Sequence, residues 1–132
     1  NEDYKDVIDE NKPTRLGLSS YTVDKPWGYE VLWACPDSGA YVAKIMSINL
    51  GKRMSLQYHE KKEETVYVMS GILRVWESEN DEEYKDLPPG SIYHVKPKQI
   101  HRFGSENSPV TLMEVSTNYL EDVVRIKDDY DR

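Results

Sequence analysis

Short runs of alternating apolar and polar residues, separated by turn signals, make up most of the chain. Such runs occupy residues 28–34, 40–50, 54–59, 65–70, 72–78, 91–95 and 110–116. They predict β-strands, and turn-forming sequences such as those at 36–39 and 88–90 predict the connections between them. Many short strands in one chain are typical of an antiparallel sandwich or barrel, so the predicted fold class is all-β.

Two stretches do not follow this pattern. Residues 1–20 are polar, acidic and aperiodic, and they predict an N-terminal arm or linker before a single domain over residues 21–132. A helix is an option in that arm and in the tail at 120–129. Because the chain starts with Asn rather than Met, we expect it to have been trimmed or cut from something longer.

Composition narrows the choice of partner and compartment. A net charge of −7 argues against a nucleic-acid or anionic-membrane partner, since both need a basic surface. Cys35 is the single cysteine, which excludes a disulfide framework and a cysteine zinc cluster. No apolar run is long enough to predict a membrane span, and a cytoplasmic location is expected.

Four side chains in the middle of the chain have the chemistry of metal ligands. Gln57 and His59 are two positions apart, so on a strand they project from the same face. Glu64 opens the next apolar run, and His101 follows a later strand and turn. Two imidazoles, a carboxylate and an amide oxygen form a suitable ligand set for a divalent transition metal.

Charged residues on the predicted strand faces indicate what surrounds that metal. Lys44 shares a face with apolar residues, so it either reaches solvent or has an anionic partner. By alternation Arg53 shares a face with Gln57 and His59, and Glu114 points inward. An ammonium, a guanidinium and an extra carboxylate around a metal would suit a small anionic polyol.

The spacing of these residues resembles the two sequence motifs of the cupin superfamily. Gly51-x5-Gln57-x-His59-x4-Glu64-x6-Gly71 matches the first motif, with Gln57 where a His usually stands, and Gly90-x10-His101 keeps the spacing of the second. The second motif departs from the pattern, since Lys96 and Lys98 replace its Pro and Gly and Ser105 replaces its terminal Asn. The resemblance implies a single-domain antiparallel cupin jelly-roll barrel.

Within the cupins, the chain resembles the isomerase domain of type II mannose-6-phosphate isomerases, which are often fused behind a mannose-1-phosphate guanylyltransferase. The stretches that carry the resemblance, from about Thr22 onward, are KPWG at 25–28, SLQYH at 55–59, HR at 101–102, YLEDVVR at 119–125 and DDYDR at 128–132. Gln57 belongs to that family's pattern, whereas Asp131 stands where its closing motif has Gly. The guanylyltransferase activity is not carried over.

The resemblance implies interconversion of mannose 6-phosphate and fructose 6-phosphate, supported by one divalent metal ion. Zinc is the first choice of metal, and manganese, cobalt, nickel and iron are alternatives. A general base is also needed, and the residues leave Glu114, Glu30 and Lys44 open. The phosphate would need Arg53, Lys44 or Arg102, and we favour Arg53 and Lys44 because alternation sends Arg102 away from His101.

Two other functions fit the same residues. An iron dioxygenase would use His59, Glu64 and His101 as a facial triad, although Gln57 would then fill a position that dioxygen needs. A non-catalytic cupin that binds a sugar or sugar phosphate would need no base at all. Because small cupins often pair through an edge strand or an exchanged terminal strand, we expect a homodimer.

Overall fold

The computed structural model describes residues 21–132, and every regular element in that range is a β-strand. In chain order the strands are β1 (Tyr21–Lys25), β2 (Gly28–Ala34), β3 (Val42–Ile48), β4 (Leu56–Tyr58), β5 (Glu64–Ser70), β6 (Leu73–Trp76), β7 (Tyr84–Leu87), β8 (Ile92–Val95), β9 (Arg102–Gly104), β10 (Val110–Ser116) and β11 (Val124–Lys127). The predicted all-β class is confirmed. The predicted N-terminal arm lies outside the described residues.

Three antiparallel sheets enclose one interior. The largest has the strand order β1-β2-β3-β10-β5-β8, and the others have the orders β7-β6-β9 and β11-β4. Its central pairs join strands far apart in sequence, since β10 pairs with both β3 and β5. The main core cluster draws on the six-stranded and three-stranded sheets together, through residues that include Met46, Ile48, Val68, Leu73, Val75, Phe103 and Leu112.

The inward face of the large sheet is divided into an apolar half and a charged half. Alternate residues of β3 and β10 point inward and are buried. In register, Val110 pairs with Ile48 and Leu112 with Met46, whereas two positions further along Glu114 pairs with Lys44. The apolar half therefore supplies the hydrophobic core, and the charged half is free to form a site.

The prediction was wrong for the tail and incomplete elsewhere. Residues 124–127 form strand β11, not a helix, because they pair with β4 on the far side of the barrel. The short strands β1, β7 and β9 were not predicted individually, since β7 lies in an acidic stretch and β9 has only three residues. Within residues 21–132, no helix is long and apolar enough to cross a membrane.

The turn between β5 and β6 depends on a glycine with no room for a side chain. Gly71 has φ of 79°, and a Cβ there would collide with the carbonyl oxygen of Pro109. Gly51, in the turn after β3, has a similar φ of 76°, but a Cβ there would meet nothing within 4 Å. Both glycines have the same left-handed backbone conformation, but only Gly71 lacks the space for a side chain.

We expect Gly71→Ala to destabilise the protein by about 3 kcal/mol, because left-handed strain and overpacking act together. Gly51→Ala is the matched control, and we expect it to cost about 1 kcal/mol from strain alone. Urea unfolding of both variants measures the difference. Equal losses would show that the contact with Pro109 adds nothing.

Candidate metal centre

Three chain segments bring the predicted metal ligands to the charged half of the barrel. His59 directly follows β4, Glu64 is the first residue of β5, and His101 directly precedes β9. Gln57 and His101 are joined by two backbone hydrogen bonds, of 3.0 and 2.9 Å from the nitrogen of each to the oxygen of the other. This bridge fixes His101 beside β4, although 44 positions separate it from Gln57 in the sequence.

His59, Glu64 and His101 converge on one point in the interior. The Nε2 atoms of the two histidines lie 3.2 and 3.3 Å from Glu64 Oε1, and one potential ligand atom from each of the three residues lies within 4.8 Å of the others. All three side chains are buried. The structure thus brings together two imidazoles and a carboxylate from three separate segments.

Hydrogen bonds on the other side of each ring fix which nitrogen faces this point. His59 Nδ1 donates to the carbonyl oxygen of Asp122 at 2.6 Å, and His101 Nδ1 donates to that of Gln99 at 3.0 Å. A carbonyl oxygen only accepts, so each Nδ1 carries a proton and Nε2 is the ring nitrogen that faces Glu64. Backbone carbonyls that orient ligating histidines in this way are usual at metal sites.

Two imidazole nitrogens and a carboxylate oxygen face one another here, an arrangement that a bound cation would satisfy. His101 Nε2 is buried and has no aligned hydrogen-bond donor or acceptor among the described residues. Its nearest neighbour, Glu64 Oε1, is itself an acceptor. Because imidazole nitrogens and a carboxylate are borderline ligands, the donor set fits Zn²⁺ and similar divalent ions. The residues present therefore fit the metal that the sequence predicts.

Gln57 lines the same cavity, as predicted from its strand position. Its Oε1 accepts a hydrogen bond of 2.7 Å from the hydroxyl of Ser55, which is fully buried. Ser55 therefore orients the amide, whose oxygen keeps a second lone pair. A ligand role for Gln57 stays a prediction.

Two buried ion pairs lie beside the His/Glu cluster. Lys44 Nζ contacts Glu30 Oε1 at 3.0 Å, so Lys44 has an anionic partner and does not extend into solvent. Lys62 Nζ contacts Glu114 Oε2 at 3.1 Å and Glu64 Oε2 at 3.7 Å. All of these side chains line one cavity of about 70 Å³. Glu30, Lys44 and Glu114 therefore all reach the cavity, which strand alternation had suggested for Lys44 and Glu114.

The protonation states in this group depend on burial and on mutual charge. Burial, together with the negative charge of Glu64, raises the pKa of Glu114 to about 8. Burial alone would also raise the pKa of Glu64, but the Lys62 ammonium and the hydrogen bond from Glu114 hold it well below its usual range. The nearby carboxylates outweigh burial for Lys44 and Lys62 and raise the pKa of both. Both lysines are therefore charged at neutral pH.

Lys62 was missed by the reasoning from sequence. It lies in the charged stretch 60–63, which reads as an exposed turn. The carboxylate of Asp122 accepts hydrogen bonds from the backbone nitrogens of residues 60, 61 and 62 at 3.0, 2.7 and 2.9 Å. This distant cap closes the turn over the cavity and directs Lys62 inward, and no local pattern signals it.

The structure corrects the placement of Arg53 and agrees with the alternation that sends Arg102 away from His101. Strand β4 starts only at Leu56, so alternation does not extend back to Arg53, whose guanidinium instead contacts Asp129 at 2.7 Å and Asp81 at 3.3 Å. Arg102 is buried and donates to the carbonyl oxygen of Met54 at 2.8 Å. Neither residue lines the cavity.

Three other cations line the mouth of the cavity. Lys25, Arg125 and Arg132 border both the inner cavity and an adjoining outer basin of about 530 Å³, which Asp24 and Glu121 also line. Arg132 is held by Asp128 at 3.0 Å. The sequence reasoning did not select these residues, because β1 and β11 meet at the mouth only in the folded barrel.

Comparison with solved structures defines the class of protein. A cupin-like protein from Thermotoga maritima is 14% identical, with a TM-score of 0.64, over 76% of this chain and 76% of that one. A sugar phosphate isomerase of the cupin superfamily from Silicibacter pomeroyi is 22% identical, with a TM-score of 0.53, over 67% and 59%. An oxalate decarboxylase from Lactobacillus farciminis is 18% identical, with a TM-score of 0.66, over 80% and 33%. The fold is that of a cupin.

The family follows from the sequence. A family model described as mannose-6-phosphate isomerase C-terminal matches residues 15–128, and the chain belongs to this family. This confirms the resemblance to the isomerase domain of the bifunctional enzymes. A comparison with curated protein sequences gave no match.

We expect His101→Ala to lower the affinity for Zn²⁺ at least about 100-fold, because the remaining ligands no longer compensate for dehydration of the ion. The metal-free variant should stay folded, since the main hydrophobic core is formed by other residues, of which His101 contacts Phe103. His94→Ala is the matched control, because His94 is on the surface against Glu63 and Thr65. Calorimetric titration measures both affinities, and equal values would contradict the site.

Proposed function

We propose that the protein is a metal-dependent aldose–ketose isomerase that acts on a sugar phosphate, with mannose 6-phosphate and fructose 6-phosphate as its substrate pair. One observation carries the proposal. The His59, Glu64 and His101 cluster borders, through His59 and Glu64, a cavity that is also lined by a carboxyl group outside the ligand set, in a chain of the mannose-6-phosphate isomerase family. Such a carboxyl group is what proton transfer at carbon requires.

The reaction itself sets two chemical demands. A proton must leave the carbon next to a carbonyl and return one carbon away, which passes through an enediolate. A divalent ion held by the cluster would supply Lewis-acid stabilisation of the developing negative charge. The chain must supply the proton carrier and hold the substrate so that its carbonyl end reaches the inner cavity.

Glu114 is our choice of proton carrier. It is buried, faces the cavity beside Glu64, and is outside the ligand set. Lys62 Nζ lies 3.1 Å from Glu114 Oε2, but this oxygen has no aligned hydrogen-bond donor among the described residues. Glu30 is the second carboxylate in the cavity, but its Oε1 is engaged by Lys44 at 3.0 Å. We assign the Glu30–Lys44 pair to binding sugar hydroxyls.

The outer basin is our choice for the phosphate. The inner cavity of about 70 Å³ has room for only the reacting end of a hexose. The adjoining basin of about 530 Å³ is bordered by Lys25, Arg125 and Arg132, of which two are guanidinium groups suited to bidentate binding of phosphate. This assignment replaces Arg53, which lines neither the cavity nor the basin.

A non-catalytic sugar-binding cupin is the second candidate. The observation that favours it is that Glu30 and Glu114 each already lie beside a buried ammonium group, of Lys44 and Lys62 respectively. Such a network is complete without a substrate and requires no proton transfer. Turnover distinguishes the two functions, since both require that the sugar phosphate bind.

We expect metal-loaded protein to interconvert mannose 6-phosphate and fructose 6-phosphate, and Glu114→Gln to lower kcat at least about 100-fold with little change in KM. In deuterium oxide, turnover should place deuterium at carbon 2 of the sugar when the proton exchanges with solvent. Glu30→Gln is the matched control, as it neutralises the other carboxylate of the cavity and should mainly raise KM.

The outcomes separate the alternatives. If Glu30→Gln abolishes turnover and Glu114→Gln does not, the proton carrier is Glu30. If the metal-loaded protein binds the sugar phosphate but neither turns it over nor exchanges its proton, the protein is a binding module and the isomerase proposal is wrong.

We expect Arg125→Ala to raise KM for the sugar phosphate about 10-fold or more while kcat changes less, because the phosphate is bound alike in ground and transition states. Arg53→Ala serves as the control, with KM unchanged and a lower melting temperature from loss of its ion pairs. Steady-state kinetics and thermal melts measure both effects. A raised KM in Arg53→Ala with none in Arg125→Ala would contradict the assignment.

A further inference from the structure

The outward face of the six-stranded sheet carries an unbroken apolar row. Register pairs Val31 with Ile45, Ile45 with Met113, Met113 with Tyr67 and Tyr67 with Ile92, which crosses five adjacent strands. All five residues occupy the outward positions of their strands, and Ile92 is 69% exposed. In an antiparallel sheet with one solvated face, outward positions are normally polar. We call this row and its outward neighbours on the same strands the apolar face.

Charge is absent from the centre of the apolar face. The three outward positions on each of β2, β3, β5 and β10 hold no Asp, Glu, Lys or Arg, although 31% of the chain is charged. Trp33, Val115 and Met69 extend the face on either side of the row and are about half exposed. The outward face of the three-stranded sheet is different, since Arg74 and Asp86 form an ion pair of 2.9 Å there.

We propose that the apolar face is the interface of a two-fold symmetric homodimer, in which the large sheets of two copies pack face to face. A two-fold axis places each patch against the identical patch of the other copy, so a patch with a net charge would repel its counterpart. Each copy carries a net charge of −7, and the apolar face is a surface on which two such copies can approach without opposing acids.

The size of the face agrees with this occupant. Four strands of seven residues and one of four, at about 4.8 Å spacing and about 3.3 Å rise per residue, give a face of about 500 Å² in projection. Side-chain relief increases that area, and stable complexes bury about 800 Å² per partner. The acidic residues within 1–20 make that segment a poor cover, because burying its carboxylates against an uncharged face would be costly.

This arrangement leaves the metal centre accessible. None of the residues that line the cavity lies on the apolar face, because the cavity is bounded by the inward side of the same sheet. The proposal is therefore independent of the proposed function. It also differs from the expectation of pairing through an edge or exchanged strand, since the strands of each copy keep their own partners.

The test is the solution mass of wild type and two variants, measured by sedimentation equilibrium at sub-millimolar concentration. We expect the wild type to have twice the 15.4 kDa of the chain. Tyr67→Glu should raise the dissociation constant at least about 100-fold, because the two-fold axis places two new carboxylates, one from each copy, in the interface. Tyr84→Glu is the matched control, as Tyr84 and Tyr67 are 45% and 48% exposed and lie on different sheets. It should remain dimeric.

Ile92→Glu is the second interface variant, in case Tyr67→Glu fails to fold. The Ile92 side chain is 69% exposed, so the fold should tolerate this substitution. It should dissociate the dimer, with Zn²⁺ affinity unchanged. A monomeric wild type would overturn the proposal. A dimer that survives both Tyr67→Glu and Ile92→Glu would overturn it as well, by placing the interface on another surface.

Discussion

Buried charge has to be neutralised within the barrel, and the arrangement of the site depends on this constraint. Five ionisable side chains, Glu30, Lys44, Lys62, Glu64 and Glu114, are buried at one end of the interior. Isolated buried charges are very costly, whereas paired and hydrogen-bonded ones are tolerated. The three carboxyl groups face two ammonium groups, so one carboxyl is in excess. Retention of a proton by Glu114 resolves this excess in the metal-free chain.

The same contacts compensate the charge of Glu64, which both histidines face. Lys62 lies 3.7 Å from this carboxylate, and Glu114 is its hydrogen-bond donor. The histidine rings are held from behind by the carbonyls of Asp122 and Gln99, which turns each Nε2 toward the cluster. Charge balance and ligand geometry therefore come from one set of contacts. The apolar half of the barrel supplies the hydrophobic core that stabilises the fold.

The sequence predicted what depends on local spacing. Alternation identified the long strands, and the motif spacing selected His59, Glu64 and His101, which the structure brings together. Alternation failed for Arg53 because it assumes one continuous strand, and the chain leaves strand geometry between residues 53 and 56. Lys62, Arg125 and the strand β11 depend on pairing between residues about 60 positions apart, which no local pattern encodes.

The contact between His59 and Asp122 also determines when the site can form during synthesis of the chain. Residue 122 is synthesised 63 positions after His59, and domains emerge from the ribosome N-terminus first. Until that residue emerges, neither the tautomer of His59 nor the turn that carries Lys62 is fixed. The cluster of His59, Glu64 and His101 is therefore completed late in synthesis, because a nascent chain that already contains both histidines still lacks the contact that orients His59.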